Sequence, residues 1–158
     1  MSELKETIRQ DLKTAMKARD KGRTGTIRML LAAIQAEETT GAKREATDED
    51  VIKVIAREVK KRRESVEIYT QNGREDLAET ELAEIAVLED YQPAQLDDAA
   101  VAEIVDASVA AVAAEQGVDV SEVGMRQMGQ VMKEATGRAA GGVDGKRLSG
   151  AVKQRLAG

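Results

Sequence analysis

The sequence predicts an all-α protein built as two helical subdomains. Three observations carry that reading. Ala, Glu, Lys and Arg are abundant and there is a single proline in 158 residues, a composition that favours helix and rarely interrupts it. Apolar residues recur every three or four positions along most of the chain, the period of a helix with one buried face. Only two residues are aromatic, both Tyr, so the core must be made of Ala, Val, Leu, Ile and Met. The one proline, Pro93, stands between two periodic blocks and forbids continuation of a helix. It sets the expected boundary. Residues 1–93 are expected to form a four-helix array with a long central hairpin, and 94–158 a small three-helix bundle.

The first helix is expected over Ser2 to Lys21, with Leu4, Ile8, Leu12, Ala15 and Met16 inward. Lys5, Arg9, Lys13 and Lys17 recur every four residues on its outer side. Such a stripe can track phosphates, and it is also what a solvated helix face looks like. Gly22 and Gly25 read as a turn. A second helix follows over Thr26 to Thr40, with Ile27, Leu30, Leu31 and Ile34 inward, and Gly41 ends it.

The central hairpin spans Val51 to Pro93. Thr47 is a good N-cap, with Asp48, Glu49 and Asp50 where carboxylates suit the helix dipole. Val51, Ile52, Ile55, Val59, Val66 and Tyr69 form one stripe. Asn72-Gly73 supplies a left-handed stop. In the returning helix Leu77, Leu82, Ile85 and Leu88 share a face, and Glu81 lies inside it. Arg62 projects into the facing stripe and Arg63 onto its margin. A lone buried charge is very costly, so a buried ion pair between Arg62, or failing it Arg63, and Glu81 is expected.

After Pro93, Asp97 is the expected cap of a helix with Val101, Ile104, Val105, Val109 and Val112 inward, stopping at Gly117. A linker follows, with a short turn capped by Ser121. A short helix is expected from Met125 to Thr136, and Gly137 to Gly142 reads as a loop. Asp144 starts the last helix, with Leu148, Ala151, Val152 and Leu156 inward.

Composition removes whole classes of chemistry. With no cysteine and no histidine there is no disulfide, no thiol nucleophile, no Cys or His zinc site and no histidine general base. Phosphate-binding P-loop and dinucleotide glycine patterns are absent. Gly141-Gly142-Val143-Asp144-Gly145 offers a weak anion cradle at a helix start. Ser65 follows a basic run but has no evident base. No catalytic residue, cofactor or metal is expected. No run approaches the apolar length of a membrane span, and the first helix lacks the apolar segment of a signal peptide. The expected location is cytoplasmic.

The net charge of −5 hides a segregation. Residues 1–42 carry eight basic and six acidic side chains, and 43–63 carry eight and five. Residues 64–122 carry one and sixteen, and 123–158 carry seven and two. Both ends are net positive, a pattern that permits nucleic-acid contact despite the low pI. The expected contacts are Lys53, Arg57, Lys60 and Lys61 on the outer side of the hairpin, with Arg138, Lys146, Arg147, Lys153 and Arg155 from the tail.

Lys60-Lys61-Arg62-Arg63-Glu64-Ser65, then Tyr69, Gly73-Arg74, Asp76-Leu77-Ala78, Glu81, Glu84-Ile85, Leu88, Tyr91, Pro93 and Leu96 resemble the YqeY family. The likeness extends upstream through Arg28 to Ile34 and downstream through Met128 to Met132, Gly137-Arg138 and Asp144-Gly145. Gln92 stands where the family has Leu, and the compact Gly-Arg-Ala-Asp-Gly of the family is stretched into Gly137 to Gly145. The family is related to the tail of the GatB subunit of the aspartyl/glutamyl-tRNA amidotransferase. The resemblance implies two all-α subdomains and a tRNA-binding accessory role. Amidotransferase or tRNA-synthetase components are implied protein partners, and carbon–nitrogen ligase activity with glutamine as amide donor is the activity that travels with the family. Two other readings stand beside it: a protein adaptor using the acidic 64–122 surface, and participation in amide transfer within an assembly. No oligomeric state follows from the sequence.

Overall fold

A computed structural model of the chain describes residues 2–158. They form seven α-helices and two short 3-10 turns, with no strand among the described residues. The chain divides into two compact units between Gln92 and Pro93.

The first unit holds α1 (Glu3–Lys17), α2 (Lys21–Thr39), α3 (Asp48–Gln71) and α4 (Glu75–Glu89). Ile8 from α1, Ile27, Leu30 and Ile34 from α2, Val51, Val54 and Ile55 from α3 and Leu88 from α4 are almost completely buried in one core. Each such side chain contributes about 2 kcal/mol of burial free energy, the main force holding the array. Ser2 caps α1 by accepting the Lys5 N–H. Thr47 and Asp50 form a reciprocal capping box at the start of α3. The stop after α3 comes at Asn72, with Gly73 in the left-handed region at φ 70°.

Some local expectations fail here for identifiable reasons. Gly22 and Gly25 do not form a turn. Helix α2 starts at Lys21, capped by the Asp20 carboxylate, and both glycines lie inside its first turns. The reversal between α1 and α2 is made instead by Arg19, at φ 58°. Met16 is 49% exposed and Leu82 48%, so neither is a core residue. Ala78, one helical turn from Leu82, takes the buried place on α4.

The second unit holds α5 (Asp98–Gln116), α6 (Met128–Ala139) and α7 (Gly145–Ala157), with 3-10 turns at Val120–Glu122 and Met125–Gln127. Val109, Val112, Val131 and Val152 are fully buried at its centre. Asp97 caps α5, and Gly117 ends it in the left-handed region. Asp119, not Ser121, caps the first 3-10 turn, accepting both the N–H and the hydroxyl of Ser121. The expected loop beginning at Gly137 is still helix, because α6 runs on to Ala139 before Ala140 turns left-handed at φ 47°. Gly142 then packs against the chain entering α5. The Leu96 N–H donates to the Gly142 carbonyl at 2.7 Å. A Cβ on Gly142 would stand 3.0 Å from Leu96 Cγ and 3.1 Å from the Ala139 oxygen.

Candidate nucleic-acid interface

The hairpin places Arg62 among the buried residues, 7% exposed. It does not pair with Glu81. Arg62 Nε donates to Glu84 Oε2 at 2.9 Å, and Nη1 donates to Glu58 Oε2 at 2.7 Å and to the Glu58 carbonyl at 3.1 Å. Nη2 lies 3.9 Å from Met29 Sδ on α2. The guanidinium thus ties α3 to α4 and touches α2. Burial opposes its charge, but the two carboxylates outweigh that penalty and raise its pKa. Glu81 is half-buried on the same side of α4 and has no hydrogen-bond or ion-pair partner among the described residues. Glu84 wins because it lies one turn nearer the level at which Arg62 crosses. Arg63, the fallback, pairs with Glu89 on the outside.

Most of the expected contact cations are already engaged by the protein's own carboxylates. Lys53 pairs with Glu49 at 3.0 Å, Arg57 with Glu37 at 2.6 Å and Lys61 more loosely with Glu58 at 3.8 Å. In the tail, Arg138 pairs with Glu134 at 3.4 Å and Arg155 with Asp106 at 2.8 Å. Arg147 is structural. It donates to the Leu96 carbonyl at 2.7 Å and to Asp98 at 2.5 Å, holding the start of α7 to the start of α5. Lys60, Lys146 and Lys153 are exposed and have no carboxylate partner.

Elsewhere the geometry offers no reaction centre. The start of α7 is not an open anion cradle, because Asp144 already accepts the Arg147 N–H there and Val143 is buried. An open groove of about 730 Å³ runs between α5 and α7. Its floor is Val101, Val105 and Ala151, and the pairs Arg147–Asp98 and Arg155–Asp106 span it. The Ser65 hydroxyl donates to the Lys61 carbonyl at 3.2 Å, as helix serines do, and no base stands beside it. No group of acidic side chains able to hold a metal occurs among the described residues. No described helix is long and apolar enough to cross a membrane.

Tyr91 donates its hydroxyl to Asp11 at 2.6 Å. Burial first, and the adjacent Asp11 second, push its pKa up, so it serves as a structural link between α1 and the end of α4. Unpaired cations collect nearby, at the end of the α1 stripe that can track phosphates but outside the expected contact residues. Lys13, Lys17, Arg19, Lys21 and Arg28 are exposed, and none has a carboxylate partner. Arg28 reaches across from α2 to lie 3.8 Å from Met16 Sδ on α1. The signal was present in the sequence, since Asp20 is the only acidic residue from Leu12 through Ala36.

The YqeY-like protein family model matches residues 5–156, nearly the whole of this two-unit helical chain. The chain belongs to the YqeY-like family. It is 38% identical over 87 residues to "Altered inheritance of mitochondria protein 41, mitochondrial" of Kluyveromyces lactis, covering 55% of this chain and 47% of the relative. The protein of the same name in Eremothecium gossypii is 34% identical over 55% of this chain and 48% of its own length. An uncharacterized protein of Schizosaccharomyces pombe is 33% identical over 57% of this chain and 72% of its own length. The chain thus spans about half the length of the first two of these YqeY-like relatives. Their names overturn the cytoplasmic expectation, because they are mitochondrial proteins. The expectation rested on the lack of an apolar membrane span and of a secretory signal segment, and mitochondrial targeting needs neither, because transit peptides are amphipathic and Arg-rich.

Proposed function

We propose that this YqeY-like chain is an RNA-binding accessory module, without catalysis of its own, that recognises structured RNA of the tRNA class by shape and phosphate contacts. One observation carries the reading. Acidic side chains outnumber basic ones, 29 to 24, so a partner exists for every cation, yet sets of cations remain uncompensated. Lys60 on the hairpin and Lys146 and Lys153 in the tail are among them. The likeness to the amidotransferase tail supports tRNA as the ligand. The scarcity of aromatic residues disfavours single-strand recognition by stacking. The test is a tRNA mobility-shift titration across salt. Log affinity should fall steeply and linearly with log salt, as counterion release requires. No complex at low salt would sink the reading.

A second reading, a protein adaptor, is favoured by the outer end of the hairpin. Ile68 is 57% exposed and Leu82 48%, within the acidic 64–122 segment. A basic partner whose binding is lost in the Ile68→Asp/Leu82→Asp protein, with no tRNA complex, would put this reading first. Amide transfer is the third. Glutamine, ATP and misacylated tRNA offered to the purified chain should give no amide product.

A further inference from the structure

We infer that the phosphate-contacting surface is the corner between α1 and α2, formed by Lys13, Lys17, Arg19, Lys21 and Arg28, rather than the basic run of α3. This rests on the RNA-binding reading above and names the surface that would do the binding. The α3 run is the more conspicuous one in the sequence. In the fold most of its charge is offset, because Lys53, Arg57, Lys61, Arg62 and Arg63 all stand against carboxylates and only Lys60 beside them does not. At the corner none of the five cations has a carboxylate partner.

The corner also carries local costs that packing does not explain. Arg19 takes a left-handed φ of 58°, where glycine is the ordinary choice. Helix α2 has no acidic residue in its first turn and carries Lys21 and Arg23 there, against the positive end of the helix dipole. The start of α7 is alike, with Lys146 and Arg147 after the Asp144 cap, whereas α1, α3, α4 and α5 each begin with acidic residues. Gly22 and Gly25 weaken the same helix, and nothing lies close enough to Gly25 to require its lack of a side chain. Three departures from local preference within one short stretch mark a place shaped by something other than stability.

The geometry suits a phosphate backbone. Lys13 and Lys17 stand one turn apart on α1. Arg28, against Met16, brings a third cation from α2 to the same side. The positive end of the α2 dipole adds to their field. Asp20, which caps α2, offsets one of these five charges and leaves the corner net positive, and Asp90 is held by Arg23 at 3.3 Å. Neither tyrosine belongs to this cluster, so it offers charge without a stacking platform. That favours helical RNA over an unpaired strand.

The experiment is a salt series of tRNA binding by fluorescence anisotropy on the whole chain, comparing wild type, Lys13→Gln/Lys17→Gln, Arg19→Gly, Arg28→Gln and Lys60→Gln/Lys153→Gln. Each corner cation lost should lower the log–log salt slope by about 1. Arg19→Gly should do this while raising the Tm, because glycine relieves the left-handed backbone. Lys60→Gln/Lys153→Gln should lower the slope by less than Lys13→Gln/Lys17→Gln does, and an equal or larger loss there would overturn the assignment to the corner. Corner variants that keep the wild-type slope would overturn the inference while leaving RNA binding intact. A wild-type chain that binds no tRNA at all would overturn the underlying reading. Binding to phosphatidylcholine vesicles containing anionic lipid, without tRNA binding, would assign the corner to a membrane surface and overturn both.

Discussion

Arg62 shows what a buried cation demands of its neighbours. Its guanidinium is satisfied by Glu84, Glu58 and a backbone carbonyl, so removing it strands two partly buried carboxylates. Arg62→Met should cost about 3 kcal/mol in urea unfolding. A double-mutant cycle should give strong coupling with Glu84→Gln and none with Glu81→Leu, whose single cost should stay within about 0.5 kcal/mol. Additive effects for Arg62 with Glu84 would refute the pairing. Helical period made the inward position of Arg62 legible in the sequence. It left the partner open, because Glu81 and Glu84 sit on one side of α4 and a flexible guanidinium reaches either. The Glu58 contact carries a sequence signal, an acid four residues before a cation, that was passed over in favour of the facing helix.

Among the elements, the two glycine-bearing stretches behave in opposite ways. At Gly142 the backbone comes so close to Leu96, Ala139 and Ala94 that a side chain has no room. Gly142→Ala should destabilise by about 1–3 kcal/mol as an overpacked site. Gly25→Ala, in open helix, should instead stabilise by about 1 kcal/mol. Chemical denaturation of both proteins settles the contrast, and a tolerated Gly142→Ala would mean that the α6–α7 connection is loose. Glycine is a strong turn signal, so in the sequence Gly22 and Gly25 read as a turn and Gly137 as the start of a loop. An N-cap at Asp20 and continued packing of Ala135 and Ala139 kept both stretches helical. Caps were the better guide, since Thr47, Asp97 and Asp144 all start the helices assigned to them.

At the scale of the whole molecule, helical composition and periodicity made the all-α class legible, while the pairing of surface charges was not. Which lysine meets which glutamate depends on how the helices of each unit pack, and periodicity does not supply that. The resulting network predicts the response to pH. Hydrogen bonds hold the pKa of Glu38, Asp48, Asp50, Asp76 and Asp119 below the ordinary carboxylate range, most strongly at Asp50 beside Arg44. Their stabilisation is present above the unfolded pKa of about 4 and is lost as pH falls through the lower folded values. Tyr91 is raised, so its contribution is present below about pH 10 and is lost as pH rises through the folded value. Thermal melts should therefore hold level from about pH 5 to 9 and fall at both ends, with Tyr91→Phe removing part of the alkaline loss. A flat profile to pH 3 would contradict the carboxylate assignments. Those melts must be followed with care about wavelength. The chain has no tryptophan, and its two tyrosines, Tyr69 and Tyr91, both precede Pro93. Near-ultraviolet absorbance and intrinsic fluorescence therefore register only the first unit. The valine-lined second unit is optically silent there, and its unfolding would be visible only to far-ultraviolet dichroism or calorimetry.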